Sequence, residues 1–504
     1  MNPAPTSTTT PASDPTPTPP EPGLFQLLPG WLAIVISGLL GWLGPLALAT
    51  ALGPPNPYVH DEFSYLLAAD TFAHGRLTNP PIPDEIAPFF EAPHVLVQPT
   101  RMSKYPPGQG LILGLGQAVF GHPAHGVFLS FGLFAAALCW MLLGWVRPGV
   151  ALVVVGVMFL QLSALDLGTR RCPPMSFSYW GTAVAALGGA LLLGGLKRAW
   201  QGRHVSAGLA LGVGLVVLAN SRPYEGLLVS LVVAGSLIPP LARLVTQRRW
   251  TDLAALLIPI ALIAAPGALW LAVYNHAVTG DWKTMPYLIH QKQYFKNPLF
   301  LFLPNNVPTR LEFLNEHLNE FYTRDYFDRE NLTIRGILFH RLDLSRVTFL
   351  FFLGWFGVGT VLWMLPKLVR QPWFWVAASI FAAVWTGTLI QTWSALHYFA
   401  PTSGAIHLVL ALALTILADQ LGPKVVPIIR QARARLGWRT LAVVALVLVL
   451  GGIAAVGMLG RKIQTKLEAK RQTLASLSTK HGVDLKLADI EGDHLVFYHQ
   501  MPED

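Results

Sequence analysis

The feature that most restricts this chain is a series of apolar runs, each roughly twenty residues long, the length at which an α-helix crosses the hydrocarbon core of a bilayer. They lie near residues 29–51, 126–146, 149–168, 178–196, 205–220, 226–242, 253–274, 347–366, 373–391, 398–419 and 440–460. Lipid offers the backbone no hydrogen-bond partner, so such runs must be helices. A membrane barrel would show shorter segments of alternating polarity. Charged residues are only 12% of the chain, about half the share that soluble surfaces carry. The expected fold is an all-α polytopic membrane protein with about eleven transmembrane helices. Amphipathic interfacial helices are expected in its first outer loop, and a small α/β tail at its C-terminal end.

Orientation follows from the basic residues. The net charge of +9 is not spread as a nucleic-acid surface would require, so no nucleic-acid partner is expected. Arg147, Lys197/Arg198/Arg203, Arg243/Arg248/Arg249, Lys367/Arg370 and Lys424/Arg430/Arg433/Arg435/Arg439 fall between alternate pairs of runs. With the N-terminus cytoplasmic, all of these clusters land inside, as the positive-inside rule demands. Residues 1–28 then read as a Pro/Thr-rich cytoplasmic tail without the build of a signal peptide. Residues 29–275 form a transmembrane module with a first outer loop at 52–125. Residues 276–460 add a second outer loop and further helices, and 461–504 form an extracytoplasmic tail. Cys139 lies inside an apolar run and Cys172 at the edge of one, which does not favour a disulfide or a thiolate metal site.

The residues able to do chemistry gather in the outer segments. Asp61 and Glu62 open a helix expected over 61–75, directly after the first run. Adjacent acids can ligate a divalent metal, or one can serve as a base while the other orients it; acids also suit the positive end of any helix. Lys104, beside Tyr105 in SKYPPGQG, precedes a second short helix after Pro106–Pro107. There a cation either meets a phosphate or snorkels to water. Arg222 and Glu225 occupy a short outer break, ANSRPYEGLL. They form either a structural ion pair or an anion-binding Arg with a positioning acid. Arg170 and Arg171 stand at another outer helix end, as do His397 and Tyr398, while Tyr287 and His290 lie in the second outer loop. No P-loop, Rossmann glycine pattern, HExxH or GxSxG occurs in a suitable setting, so a nucleotide-bound substrate is not expected.

Taken in order, Asp61–Glu62, HGRL at 74–77, SKYPP at 103–107, AVFG at 118–121, GTRRCPPMSFSYW and NSRPYEGLL resemble the outer-loop pattern of the GT-C superfamily of membrane glycosyltransferases. The similarity is greatest to protein O-mannosyltransferases and the bacterial lipid A aminoarabinose transferase, and it runs over about residues 29–275. It implies an inverting transfer of sugar from a polyprenyl-phosphate donor to an extracytoplasmic lipid, glycan or protein, in a bacterial inner membrane. Asp61 and Glu62 would then be catalytic. Lys104, Arg222, Arg171 and Arg170 would bind the donor phosphate, with Tyr105, Glu225, Tyr287, His290, His397 and Tyr398 lining the substrate. No cofactor is required, and a divalent metal at Asp61 and Glu62 is left open. The region after 275 departs from the pattern and leaves the acceptor open. A transporter, or a polysaccharide polymerase or ligase using the same lipid-linked donors, is the competing reading. The orientation is checked by a reporter fused after Asp504, which should read as extracytoplasmic; a cytoplasmic signal would mean an odd number of spans has been miscounted.

Overall fold

The computed structural model describes residues 28–57, 59–163, 175–309, 313, 316–323 and 333–421. The eleventh apolar run, the C-terminal tail, most of the N-terminal tail, Cys172 and the Arg170–Arg171 pair lie outside the described residues. Within them the chain is a membrane-embedded helical bundle with very little sheet.

Helix α1 (Gly30–Leu52) follows Pro29 and stops at Gly53. The first long loop begins with α2 (His60–Ala73), whose first turn is held by the Glu62 carboxylate accepting the Val59 N–H at 3.0 Å. A short hairpin follows, β1 (Val95–Leu96) against β2 (Met102–Ser103), with Val95 opposite Ser103. Pro107 then takes the first position of α3 (Pro107–Phe120), where its missing N–H leaves no helical bond unmade. The bundle continues through α4 (Ala124–Leu142), α5 (Pro148–Leu162), α6 (Thr182–Trp200), α7 (His204–Ala219), α8 (Pro223–Thr246) and α9 (Trp250–Thr279). The second long loop carries α10 (Pro286–Tyr294) and α11 (Glu316–Thr323). Then come α12 (Ile334–Leu368), α13 (Pro372–Ile390) and α14 (Leu396–Leu421), the last opening with a 3₁₀ turn over Leu396–Thr402.

Seven helices among the described residues are long and apolar enough to cross a membrane: α1, α4, α8, α9, α12, α13 and α14. Helices α5 and α7 are shorter and apolar. The expected runs from 29–51 to 398–419 each fall on a helix. One boundary differs clearly from expectation. α12 begins at Ile334 rather than near 347 and is broken at Gly354 (φ 63°, ψ 176°). A Cβ at Gly354 would lie 2.3 Å from the Gln161 amide of α5, so the break admits a polar side chain between two helices.

Small residues set the helix crossings, as they do where lipid removes the hydrophobic drive for helices to associate. Gly38 and Gly41 of α1 face Gly132, Ala135 and Ala136 of α4. In the first long loop, Gly110 and Gly114 of α3 lie against Ala68, Ala69 and Phe72 of α2, while Gly116 meets Gly126 of α4. The loop helices therefore pack onto the bundle as part of it. At Gly126 an added Cβ would sit 2.2 Å from the Ile112 carbonyl oxygen. Gly126→Ala should lower the thermal midpoint in nanodiscs, by the equivalent of about 1–3 kcal/mol for an overpacked contact. Gly156→Ala, with nothing within 4 Å of the new methyl, should leave the midpoint unchanged or raise it slightly. Equal behaviour of the two variants would mean that the loop is not docked as described.

Candidate functional site

Asp61 is the second residue of α2, at the end where the helix dipole favours negative charge. Its Oδ1 accepts a hydrogen bond from the Tyr105 hydroxyl, and its Oδ2 lies 3.8 Å from His94 Nε2. Burial alone would raise the pKa of this carboxyl. His94, His397, the Tyr105 hydroxyl and Lys104 together outweigh burial and hold it well below the usual range. Asp61 is therefore an ionised carboxylate that is only 18% exposed.

Glu62 has a different environment. One residue further round the helix, it is turned into the protein and is 1% exposed. Its Oε1 accepts the Ser178 hydroxyl at 2.9 Å and the Tyr179 N–H at 2.8 Å, and its Oε2 accepts the Val59 N–H. Glu62 thus fastens the start of α2 to the segment before α6. The Glu62 oxygens are engaged by three N–H and O–H donors. Among the described residues no group of three His, Cys, Asp or Glu side chains is arranged to hold a metal ion.

Lys104 follows β2 and is 4% exposed. Its ammonium stands over three aromatic faces, at 5.1 Å from the Tyr105 ring centre, 4.8 Å from Tyr287 and 5.4 Å from Phe295. Such contacts stabilise a desolvated cation by about 2 kcal/mol or less each. They leave its N–H groups without an oxygen acceptor among the described residues. Burial pushes the Lys104 pKa down to about 7, with Arg222 adding to the shift and Asp61 opposing it.

Arg222 precedes α8 and lies in the same neighbourhood. Its guanidinium stacks 4.9 Å from the Tyr398 ring centre. Burial disfavours its charge, but Tyr65, Glu225 and Tyr398 beside it outweigh that and keep it a cation. Of the two uses open to Arg222 and Glu225 in sequence, a contact ion pair is not formed among the described residues. Glu225, 4% exposed, instead accepts a hydrogen bond from Gln391 Nε2 at 3.2 Å.

Two backbone approaches bring these pieces together. The Gly108 N–H donates to the Asn220 carbonyl at 2.7 Å, and a Cβ at Gly108 would lie 2.6 Å from that oxygen. The start of α3, just after Lys104, is thereby joined to the turn bearing Arg222. The Lys104 N–H in turn donates to the His94 carbonyl at 3.1 Å. Tyr287 joins the wall of the Lys104 cage, and its ring lies 6.3 Å from that of Tyr105. His290 is fully buried with Nε2 at 3.2 Å from the Tyr322 hydroxyl. The His397 ring lies tilted against that of Trp180, with centres 4.2 Å apart.

Several participants were not singled out in sequence. Tyr65, four residues after Asp61, stacks on Tyr105 with ring centres 4.6 Å apart, and helical spacing alone puts it on the Asp61 face. Phe295, Tyr322 and His94 carry no comparable signal, because long-range packing alone brings them to the site. No protein-family model and no curated protein sequence matches the chain.

The Lys104 ammonium sets a pH dependence for any anion bound here. With its pKa at about 7, the cation is present below that pH and lost above it. A phosphodiester does not titrate in this range, so its dissociation constant should be flat between pH 6 and 6.5 and weaken up to tenfold per unit above pH 7. Lys104→Ala should bind weakly with no such slope, measured by scintillation proximity with a lipid phosphodiester. A slope that survives in Lys104→Ala would assign it to another group.

Proposed function

We infer that this chain is a glycosyltransferase moving a sugar from a polyprenyl-phosphate-linked donor to a hydroxyl of an extracytoplasmic acceptor. It would act at the outer face of a bacterial inner membrane, with its N-terminus cytoplasmic and its C-terminus outside. One observation carries the reading. At a single end of the bundle, Asp61, Glu62 and Glu225 are hydrogen-bonded by neutral donors, whereas Lys104 and Arg222 rest on aromatic faces without contact ion pairs among the described residues. Charged groups are rarely buried in this way without a ligand or a partner to meet them. Two cations with open N–H groups suit a phosphate whose charge grows as the glycosidic bond breaks, and a water-poor setting strengthens them most at that moment.

In this mechanism the donor phosphate lies between Lys104 and Arg222, with its lipid chain remaining in the bilayer. The sugar occupies the space toward Asp61. An acceptor hydroxyl attacks the anomeric carbon, the bond to the phosphate oxygen breaks, and the electron pair leaves on the lipid phosphate. Asp61 is the carboxylate on which deprotonation of the acceptor depends, and Glu62 fixes the helix end that presents it. Tyr105 links the two halves of the site: its hydroxyl donates to Asp61, and its ring lies beneath Lys104. The aromatic wall of Tyr65, Tyr105 and Tyr287 also suits the apolar faces of a sugar ring.

Purified protein in nanodiscs, given a panel of radiolabelled polyprenyl-phosphate sugars, should consume at least one donor. Asp61→Asn should abolish transfer while keeping the folded, monodisperse protein. Lys104→Ala and Arg222→Ala should each weaken donor binding by about 10- to 100-fold, the loss of one charge-assisted hydrogen bond, with little change in acceptor KM. Donor left intact by the wild type across the panel, or consumed equally by Asp61→Asn, would remove the reading.

A further inference from the structure

His94 has an uncommon backbone. Its φ of +64° is a left-handed conformation that a histidine adopts only when its surroundings enforce it. Three hydrogen bonds do so: the Ser64 hydroxyl and the Lys104 N–H both donate to the His94 carbonyl, at 2.7 and 3.1 Å, and the His94 N–H donates to the Tyr322 hydroxyl at 3.2 Å. Ser64 and Tyr322 belong to α2 and α11, so two separate elements determine one strained residue. Strain held in this way is concentrated where a side chain must be aimed.

The ring is aimed at Asp61. Nε2 lies 3.8 Å from Asp61 Oδ2, an ion-pair distance longer than a hydrogen bond; bonds of this kind commonly tighten only when substrate is present. The opposite nitrogen, Nδ1, is buried and has no hydrogen-bond partner, on a residue that is 8% exposed. A carboxylate at Nε2 selects the tautomer with its proton there, leaving the Nδ1 lone pair as a proton acceptor. Asp61 itself is poorly placed to take a proton, since one oxygen is bound by Tyr105 and the other faces His94.

We propose that His94 is the general base of the transfer and that Asp61 is its positioning partner, an Asp–His dyad built across the first outer loop. The proposal rests on the glycosyltransferase reading and deepens it. The acceptor hydroxyl gives its proton to His94 Nδ1 as its oxygen bonds to the anomeric carbon. The bond from that carbon to the phosphate oxygen breaks, and its electron pair leaves on the lipid phosphate. The imidazolium so formed is stabilised by Asp61 and then releases its proton to solvent. The groups facing His94 are His60 and Asp61 on α2, Lys104 and Tyr105 after β2, His290 on α10 and Tyr322 on α11. Burial first, with Lys104 and His60 adding and Asp61 opposing, holds His94 well below the ordinary histidine range. It is thus neutral, and able to accept a proton, at neutral pH.

The backbone at His94 dictates the variants. Asn and Gly both tolerate a positive φ, so His94→Asn and His94→Gly remove the imidazole without opposing the turn. Donor binding, read by scintillation proximity, reports that each variant is folded and should stay within a few-fold of wild type. Transfer at saturating donor should fall by about 100-fold or more, the usual contribution of a general base. Added imidazole should restore part of the rate in His94→Gly and none in Asp61→Asn, with the rescued rate following the neutral fraction of the imidazole. Transfer by His94→Asn within a few-fold of wild type, with Asp61→Asn inactive, would overturn the dyad while leaving the glycosyltransferase reading intact. Loss of rate without any imidazole rescue would reduce His94 to a structural part of the turn. Should neither variant fold, the wild-type pH profile decides. The dyad requires an acid limb in the turnover number, below the ordinary histidine range, whose pKa shifts with temperature as an imidazole's does; a limb with the nearly temperature-independent pKa of a carboxylate would overturn it. A wild type that consumes no lipid-linked sugar removes both readings together.

Discussion

The hydrogen bond from the Gly108 N–H to the Asn220 carbonyl, 2.7 Å long, joins two stretches of chain more than a hundred residues apart in sequence. It requires glycine, because any Cβ at 108 would enter the space of the carbonyl. It brings the start of α3, just after Lys104, against the turn between α7 and α8 that carries Arg222. Lys104 and Arg222 are thereby close enough to interact electrostatically. Arg222 lowers the tendency of Lys104 to be charged, and Asp61 offsets part of that. The acids, meanwhile, are satisfied by hydroxyl, amide and backbone donors that carry no formal charge. An arrangement optimised for stability alone would pair buried cations with the acids, because a buried charge without a partner costs several kcal/mol. Here the aromatic faces of Tyr105, Tyr287, Phe295 and Tyr398 take that place. A π face stabilises a cation without using its hydrogen-bond donors, so the cations remain able to bind an oxyanion.

The small-residue crossings serve the same end. α2 and α3 would be surface appendages if they met the bundle through long side chains. Gly110, Gly114, Gly116 and Gly126 bring backbones together instead, so the loop that carries Asp61 is held as closely as the transmembrane helices. A group that must be placed to within about half an ångström is better carried on such an element than on a mobile loop.

Much of this was legible in the sequence because hydrophobic length and charge sidedness are local properties. The apolar runs mark the helices, and counting crossings puts Asp61, Lys104, Arg222 and His397 on one side of the membrane. What was not legible is long-range. The start of α12 at Ile334 lies in a polar, aromatic stretch whose helicity depends on packing, and the break at Gly354 depends on Gln161 from another helix. His94 sits in FEAPHVLV, where nothing in the spacing reveals a left-handed residue or a ring aimed at Asp61. Tyr65 was within reach of helical periodicity; Phe295 and Tyr322, on α10's end and α11, were not.

Asp61 and Glu62 show how far residue type falls short of role. They are neighbours in sequence and identical in charge, and a reading from spacing treats them as a pair. A helix turns about 100° per residue, so adjacent side chains on α2 must enter different environments. Glu62 enters one of fixed donors, Val59 N–H, Ser178 and Tyr179 N–H, where its charge is spent on holding the helix end. Asp61 enters one of rings and titratable groups, with Tyr105 and His94 at its two oxygens. The first arrangement fixes a geometry and the second polarises whatever it touches. Assigning both acids to chemistry would therefore place two charges where the architecture supplies one, and assigning both to structure would leave the carboxylate between Tyr105 and His94 without a reason to be buried.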